Sequence, residues 1–204
     1  MIEALQSQVV LCGVAFYWLD IIGTALGLLY LLLEYRASVW LWPVSIVMPL
    51  VHGYLYFMRG LYADSALDIY FVLAAIYGWV VWLTGKRGNG GVATPISHAS
   101  LSSLLRAAGV TALLWGGIYA LLVTWTDSTV PALDAFTTAL SITGMWALSR
   151  KWVEQWLMWF VVDVVSAALY VYKGIPFTAA LYVIYTVMAI AGYYKWRGMA
   201  RTSV

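Results

Sequence analysis

Only one cysteine, Cys12, occurs in 204 residues, so no internal disulfide can staple the fold. Charge is scarce as well: 10% of the residues are Asp, Glu, Lys or Arg, against about a quarter in soluble domains. The net charge of +2 is spread thinly among loops, which leaves no basic stripe for nucleic acid. Two histidines supply no credible metal cluster, and HExxH, GxSxG and CxxC are all missing. A retinal protein needs a lysine buried in its last span, whereas Lys195 sits at the end of that span. Residues 1–8 (MIEALQSQ) contain neither Lys nor Arg, so the first apolar run is expected to stay as a span rather than act as a cleaved signal. Metal, thiol, photochemical and nucleic-acid functions all lack their residues, and no bound cofactor is expected.

What the chain has in abundance is apolar surface: 64% of it is hydrophobic and 16% aromatic, with a mean hydropathy of +0.86. A spanning helix takes about 20 residues. Seven runs of that kind lie near 11–33, 39–58, 62–84, 102–125, 131–149, 153–172 and 176–196, leaving no room for a separate soluble domain. The runs are too long and too continuously apolar for barrel strands, so the expected fold is an all-α integral membrane protein in a lipid bilayer. Residues 85–101, rich in Gly and small polar side chains, read as a mobile linker. With the N-terminus outside, inner loops and the tail at 197–204 hold Arg36, Lys86, Arg87, Arg106, Arg150, Lys151, Lys195, Arg197 and Arg201. The outer loops hold Arg59 and Lys173 alone, a bias that fixes the expected orientation with the C-terminus in the cytoplasm.

The strongest organisational signal is an ungapped internal repeat at an offset of 114 residues, with about 19 identities over 64 positions between 19–82 and 133–196. Asp20 falls on Asp134, Arg36 on Arg150, Trp42 on Trp156, Gly78 on Gly192 and Trp82 on Trp196. Three spans per repeat (9–84 and 131–196) and a connecting span at 102–125 give a three-plus-one-plus-three layout with both repeats facing the same way. Parallel repeats of this kind belong to transporters that hold substrate between the repeats near mid-membrane, so transport is the expected function.

Candidate site residues follow from helical spacing. Trp152, Trp156, Trp159 and Asp163, at i, i+4, i+7 and i+11, read as one face: indoles for stacking and cation–π contact, ending in a carboxylate that is costly mid-span unless it faces a cavity or partner. An interfacial aromatic belt explains Trp152 equally well. The repeat-related second span carries Trp42, Ser45, Pro49, His52 and Tyr56 on one face, with Pro49 as a hinge or a static kink, and His52 as a substrate donor or a helix-to-helix bond. Asp68 is deep enough to line a pathway, while Asp64 suits a helix N-terminus and Asp20 and Asp134 suit capping. Ser141 and Met145 share a face of the fifth span, and Tyr182 and Tyr185 add ring faces and hydroxyls from the seventh.

The stretches 26–64, 68–82, 134–164 and 169–196 resemble the Pnu family of bacterial vitamin transporters over nearly all the membrane-embedded chain. The resemblance implies the layout of SWEET-like transporters, a homotrimer in the bacterial inner membrane, and facilitated diffusion without ion or ATP coupling. It also implies trapping of the vitamin by a cytoplasmic kinase. Family members bind substrate beside the Trp-rich sixth span, which carries over to Trp152, Trp156 and Trp159, with Asp163 as a polar contact. Met145 stands where the nicotinamide riboside branch has Gln, and DAFTTALSITGMW with RKWVEQW is similar to the thiamine-type branch. Thiamine is therefore expected slightly ahead of nicotinamide riboside, and neutral riboflavin is disfavoured by the carboxylate. The alternatives are a non-transporting binding subunit, an intramembrane enzyme built on Asp64 and Asp68, and a proton-coupled carrier using Glu34, Asp68 or Asp163.

Overall fold

The computed structural model describes residues 8–11, 14–58, 62–85, 95–126, 128–172, 174 and 176–202. Helices dominate them: α1 (Trp18–Tyr35), α2 (Leu41–Met58), α3 (Tyr62–Thr84), α4 (Leu101–Trp125), α5 (Pro131–Ser149), α6 (Gln155–Tyr172) and α7 (Pro176–Thr202). Among the described residues, three stretches are long and apolar enough on their own to cross a membrane: Leu67–Thr84, Leu101–Trp125 and Gln155–Tyr172. The first span differs from expectation. Its helix begins at Trp18 rather than near residue 11, and β1 (Gln8–Leu11) pairs antiparallel with β2 (Val14–Tyr17), where Val9, Val10, Val14, Phe16 and Tyr17 favour extended backbone. The last helix also runs past residue 196 into the basic segment, as far as Thr202.

The helix ends are written locally. Ser100 caps α4, its hydroxyl accepting from the Ser103 N–H, and Pro131 opens α5 where its missing N–H costs nothing. The chain divides into two compact units, residues 1–79 and 80–204.

The 114-residue offset reappears in the backbone. Shifted by 114, α2 takes the bounds of α6, and α3 starts where α7 starts. Five backbone bonds of the two connections correspond at this offset. In the first, the N–H groups of Arg36, Ala37, Ser38, Leu41 and Trp42 donate to the carbonyls of Leu32, Glu34, Leu33, Ser38 and Val39. In the second, those of Arg150, Lys151, Trp152, Gln155 and Trp156 donate to Trp146, Leu148, Ala147, Trp152 and Val153. Both α1 and α5 thus close in a Schellman motif, whose left-handed residue is Ala37 (φ 51°) in one and Lys151 (φ 53°) in the other.

Packing repeats too. Trp42 lies fully buried against Gly78 within the first unit, and Trp156 against Gly192 within the second; a Cβ on either glycine would overlap the indole ring. Lipid tails are as apolar as any side chain, so helices in a membrane associate through such close van der Waals contact. Gly78→Ala and Gly192→Ala are each expected to destabilise the protein by about 1–3 kcal/mol, the usual cost of overpacking. Thermal melting in detergent checks this, and unchanged midpoints would contradict the packing.

Candidate functional site

Within the second unit, α5, α6 and α7 bring polar and aromatic side chains together. The site grows from α6, where residues four apart stack along one face. Trp159 packs on α5 at Gly144, where a Cβ would stand 3.4 Å from its ring, next to the buried Met145. Its indole N–H has no partner among the described residues. One turn on, Asp163 is buried, and it lies close enough to Tyr182 and Tyr185 of α7 for electrostatic contact with both. Tyr182 stacks on Tyr170, ring centroids 5.3 Å apart at 21°, and meets Tyr185 edge-on at 5.7 Å. Chemically this is an indole face beside a carboxyl ringed by phenols. Such a set can hold a flat ring by stacking and hydroxyls or a cation by hydrogen bonds and charge.

Trp156 is placed differently from Trp159. It is 1% exposed, wedged on Gly192, and meets Trp196 in a T at 5.8 Å. Trp196 lies 6.5 Å from Trp82, whose N–H donates to the Leu148 carbonyl and whose ring takes the Lys151 ammonium at 4.3 Å. Burial holds Lys151 below the ordinary lysine pKa range, and the ring face supplies part of the charge stabilisation that water would otherwise give. These three indoles make a packed aromatic layer at one end of the unit.

Trp152 does not join the helical face expected for it, because α6 begins three residues later. It sits in the preceding turn, edge-on to Trp146 at 4.8 Å, and its backbone pairs with Ser97. That pairing also corrects the reading of the linker. Residues 95–100 are docked on the turn before α6: the Ser97 N–H donates to the Lys151 carbonyl and the Val153 N–H to the Ser97 carbonyl. Glu154 completes the clasp, one carboxylate oxygen 2.7 Å from His98 Nδ1 and the other accepting from the Ala99 N–H at 2.9 Å. Glu154→Ala is expected to raise hydrogen exchange at Ala99 severalfold while the Ser97 pairing persists. Unaltered protection at Ala99 would contradict the clasp.

The other candidates sit on α5 or in the first unit. Ser141 sits half-buried on α5, and Thr143 on the same helix bonds Thr111 of α4 at 2.7 Å. Trp42, Pro49 and Asp68 belong to the first unit, where Asp68 packs against Gly53 and Ser65 donates to the Gly53 carbonyl at 2.9 Å. His52 and Tyr56 lie on α2, and their side chains fall outside the described residues, as do Arg59, Lys86, Arg87 and Lys173. Sequence reasoning missed Gln155 and Ser166, both buried on α6, and Tyr170. The signal was present as a row of four-residue steps back from Asp163 through Trp159 to Gln155, but a row begun at Trp152 follows a different line along the helix.

Residues 17–198 match the nicotinamide mononucleotide transporter family. The riboflavin/roseoflavin transporter RibM of Streptomyces davaonensis is 34% identical over 88% of this chain and 84% of its own length. The nicotinamide riboside transporter PnuC of Escherichia coli is 26% identical over 93% of this chain and 89% of its own. A crystal structure of the vitamin B3 transporter PnuC superposes with a TM-score of 0.71 over 91% of this chain and 83% of the other, at 18% identity, a likeness of fold.

Proposed function

From the premise that the chain belongs to the nicotinamide mononucleotide transporter (Pnu) family, a family of transporters and not of enzymes, we propose that it carries an unphosphorylated, flat-ringed vitamin across the membrane by facilitated diffusion. The observation that carries the reading is the cluster of Trp159, Asp163, Tyr182 and Tyr185 in one three-helix bundle. An indole face next to a buried carboxyl suits a planar ring bearing hydroxyls. Riboflavin, nicotinamide riboside and thiamine all fit that description. The 34% identity to a riboflavin/roseoflavin transporter moves riboflavin ahead of the thiamine expected from Met145 and the neighbouring stretches. The carboxyl argument against a neutral vitamin loses its force here, because a carboxyl among tyrosine hydroxyls serves a ribityl chain as well as it serves a cation.

In this reading two parallel three-helix repeats, 9–84 and 131–196, are joined through the linker at 85–101 and the helix at 102–125, with substrate passing beside α6. The matched backbone bonds of the two connections support it. The protein would sit in a bacterial inner membrane as a homotrimer, N-terminus outside, and net uptake would follow from phosphorylation of the vitamin by a cytoplasmic kinase. The test is thermal stability of the detergent-purified protein with graded riboflavin, nicotinamide riboside and thiamine, since a ligand that binds only the folded state raises stability by RT ln(1 + [L]/Kd). A saturable rise with one vitamin names the substrate. No rise with any of them would sink the proposal.

A further inference from the structure

The first turn of α6 holds a polar group that the fold leaves unused. Gln155 is fully buried, and among the described residues neither its amide oxygen nor its amide nitrogen has a hydrogen-bond partner. The indole N–H groups of Trp156 and Trp159 are in the same state. An unpaired buried amide costs about 1–3 kcal/mol, and native proteins keep very few of them without a purpose.

The internal repeat supplies a control for what the fold itself needs at this position. At the 114-residue offset Gln155 corresponds to Leu41, which is equally fully buried at the first turn of α2 and makes the matching backbone bond. The scaffold is satisfied by a leucine. The amide is therefore an addition peculiar to the second repeat, as are its neighbours on the same row: Trp159 stands where the first repeat has Ser45, and Asp163 where it has Pro49. Gln155, Trp159 and Asp163 follow one another at four-residue steps, so the unused amide lies in line with the indole face and the carboxyl.

We propose that Gln155 is a specificity-determining contact for the transported vitamin, its carboxamide pairing with a ring edge on which a carbonyl acceptor stands beside an N–H donor. A side-chain amide offers one acceptor and two donors in a plane, and it matches such an edge with two parallel hydrogen bonds. The pyrimidinedione edge of a flavin has this pattern at its C4 carbonyl and N3–H, and the carboxamide of a nicotinamide has it too. With the ring stacked on Trp159 and its edge read by Gln155, the hydroxylated chain is left for Asp163 and the tyrosines. The inference rests on the function proposed above.

The test measures binding of riboflavin and 3-methylriboflavin, which lacks the N3–H donor, and of nicotinamide riboside and nicotinic acid riboside, which lacks the amide. Each is titrated into the purified full chain, wild type and Gln155→Leu. Wild type is expected to prefer the amide-edged member of the pair it binds by about tenfold or more, and Gln155→Leu to lose that preference and about tenfold in affinity. Its ligand-free melting temperature should equal or exceed that of wild type, because the unpaired amide is gone; Gln155→Met serves the same comparison if the leucine variant does not fold. A folded variant that keeps wild-type affinity and discrimination would overturn the assignment alone. Absence of binding to wild type by both riboflavin and nicotinamide riboside would overturn this assignment, and the function proposed above falls with it only if thiamine also fails to bind.

Discussion

Trp156→Ala is expected to destabilise the protein by about 3–5 kcal/mol, the cost of emptying a buried indole site. The ring is almost wholly enclosed, seated on Gly192 and edge-on to Trp196, so its removal leaves a void that no neighbour is free to fill. The same geometry makes the effect non-additive. Gly192→Ala clashes while the indole is present, but the added Cβ occupies vacated space once Trp156 is gone. The double variant should therefore melt at or slightly above Trp156→Ala, whereas additive losses would show that the two do not meet as described. Trp42 and Gly78 offer the same cycle in the first unit.

Trp159→Ala should behave in the opposite way, with little change in melting temperature and a loss of about tenfold or more in vitamin affinity. Base-like rings stacked on aromatic side chains gain about 1–3 kcal/mol each, which is the energy the alanine variant forgoes. The ring lies on Gly144 and is half-buried where Trp156 is 1% exposed, so it packs less completely, and its N–H is unspent among the described residues. Trp159→Phe retains a stacking face and loses the donor. Its affinity should fall between those of wild type and the alanine variant, read as KM for transport or as Kd by titration. A Trp159→Ala protein with wild-type affinity would move the binding site away from α6.

The contrast between these two tryptophans shows what the sequence could and could not convey. Spacing put Trp156, Trp159 and Asp163 on one helix, and the 114-residue offset linked Trp156 to Trp42 and Gly192 to Gly78, but neither revealed that these pairs are knob and seat. That knowledge needs the packing of α6 against α7, which no local pattern encodes. Trp152 was misread because helical periodicity was carried back past the true start of α6. The motif that delays that start turns on Lys151, a non-glycine residue with positive φ, which composition does not flag. The docking of residues 95–100 was hidden for a related reason: Pro, Ser and His suggest a loose loop, while the partners that hold it are backbone groups of Lys151 and Val153 and the side chain of Glu154. Gln155 was overlooked because an amide beside two tryptophans reads as ordinary polar spacing until burial is known.

The repeat thus accounts for the local packing of each half, and in the proposed reading the departures from it meet the substrate. Where the two halves agree, at Trp42 and Trp156, at Gly78 and Gly192, and through both Schellman turns, the residues hold helices together. Where they differ, at Gln155, Trp159 and Asp163 against Leu41, Ser45 and Pro49, the second half carries polar and aromatic groups that the scaffold does not require. Repeated local packing with different contents in each half suits a carrier of an asymmetric vitamin.

The central claim is passive carriage of a flat vitamin through this site, and counterflow in proteoliposomes tests it most directly. Vesicles holding the purified protein, preloaded with unlabelled riboflavin and diluted into a trace of labelled riboflavin, should take up label transiently with no ion gradient and no ATP, and the same vesicles made with Trp159→Ala should do so markedly more slowly at the same concentrations. Nicotinamide riboside and thiamine in parallel vesicles identify the substrate if riboflavin is not carried. Accumulation that appears only under an imposed proton gradient, or no exchange of any of the three vitamins, would contradict the account.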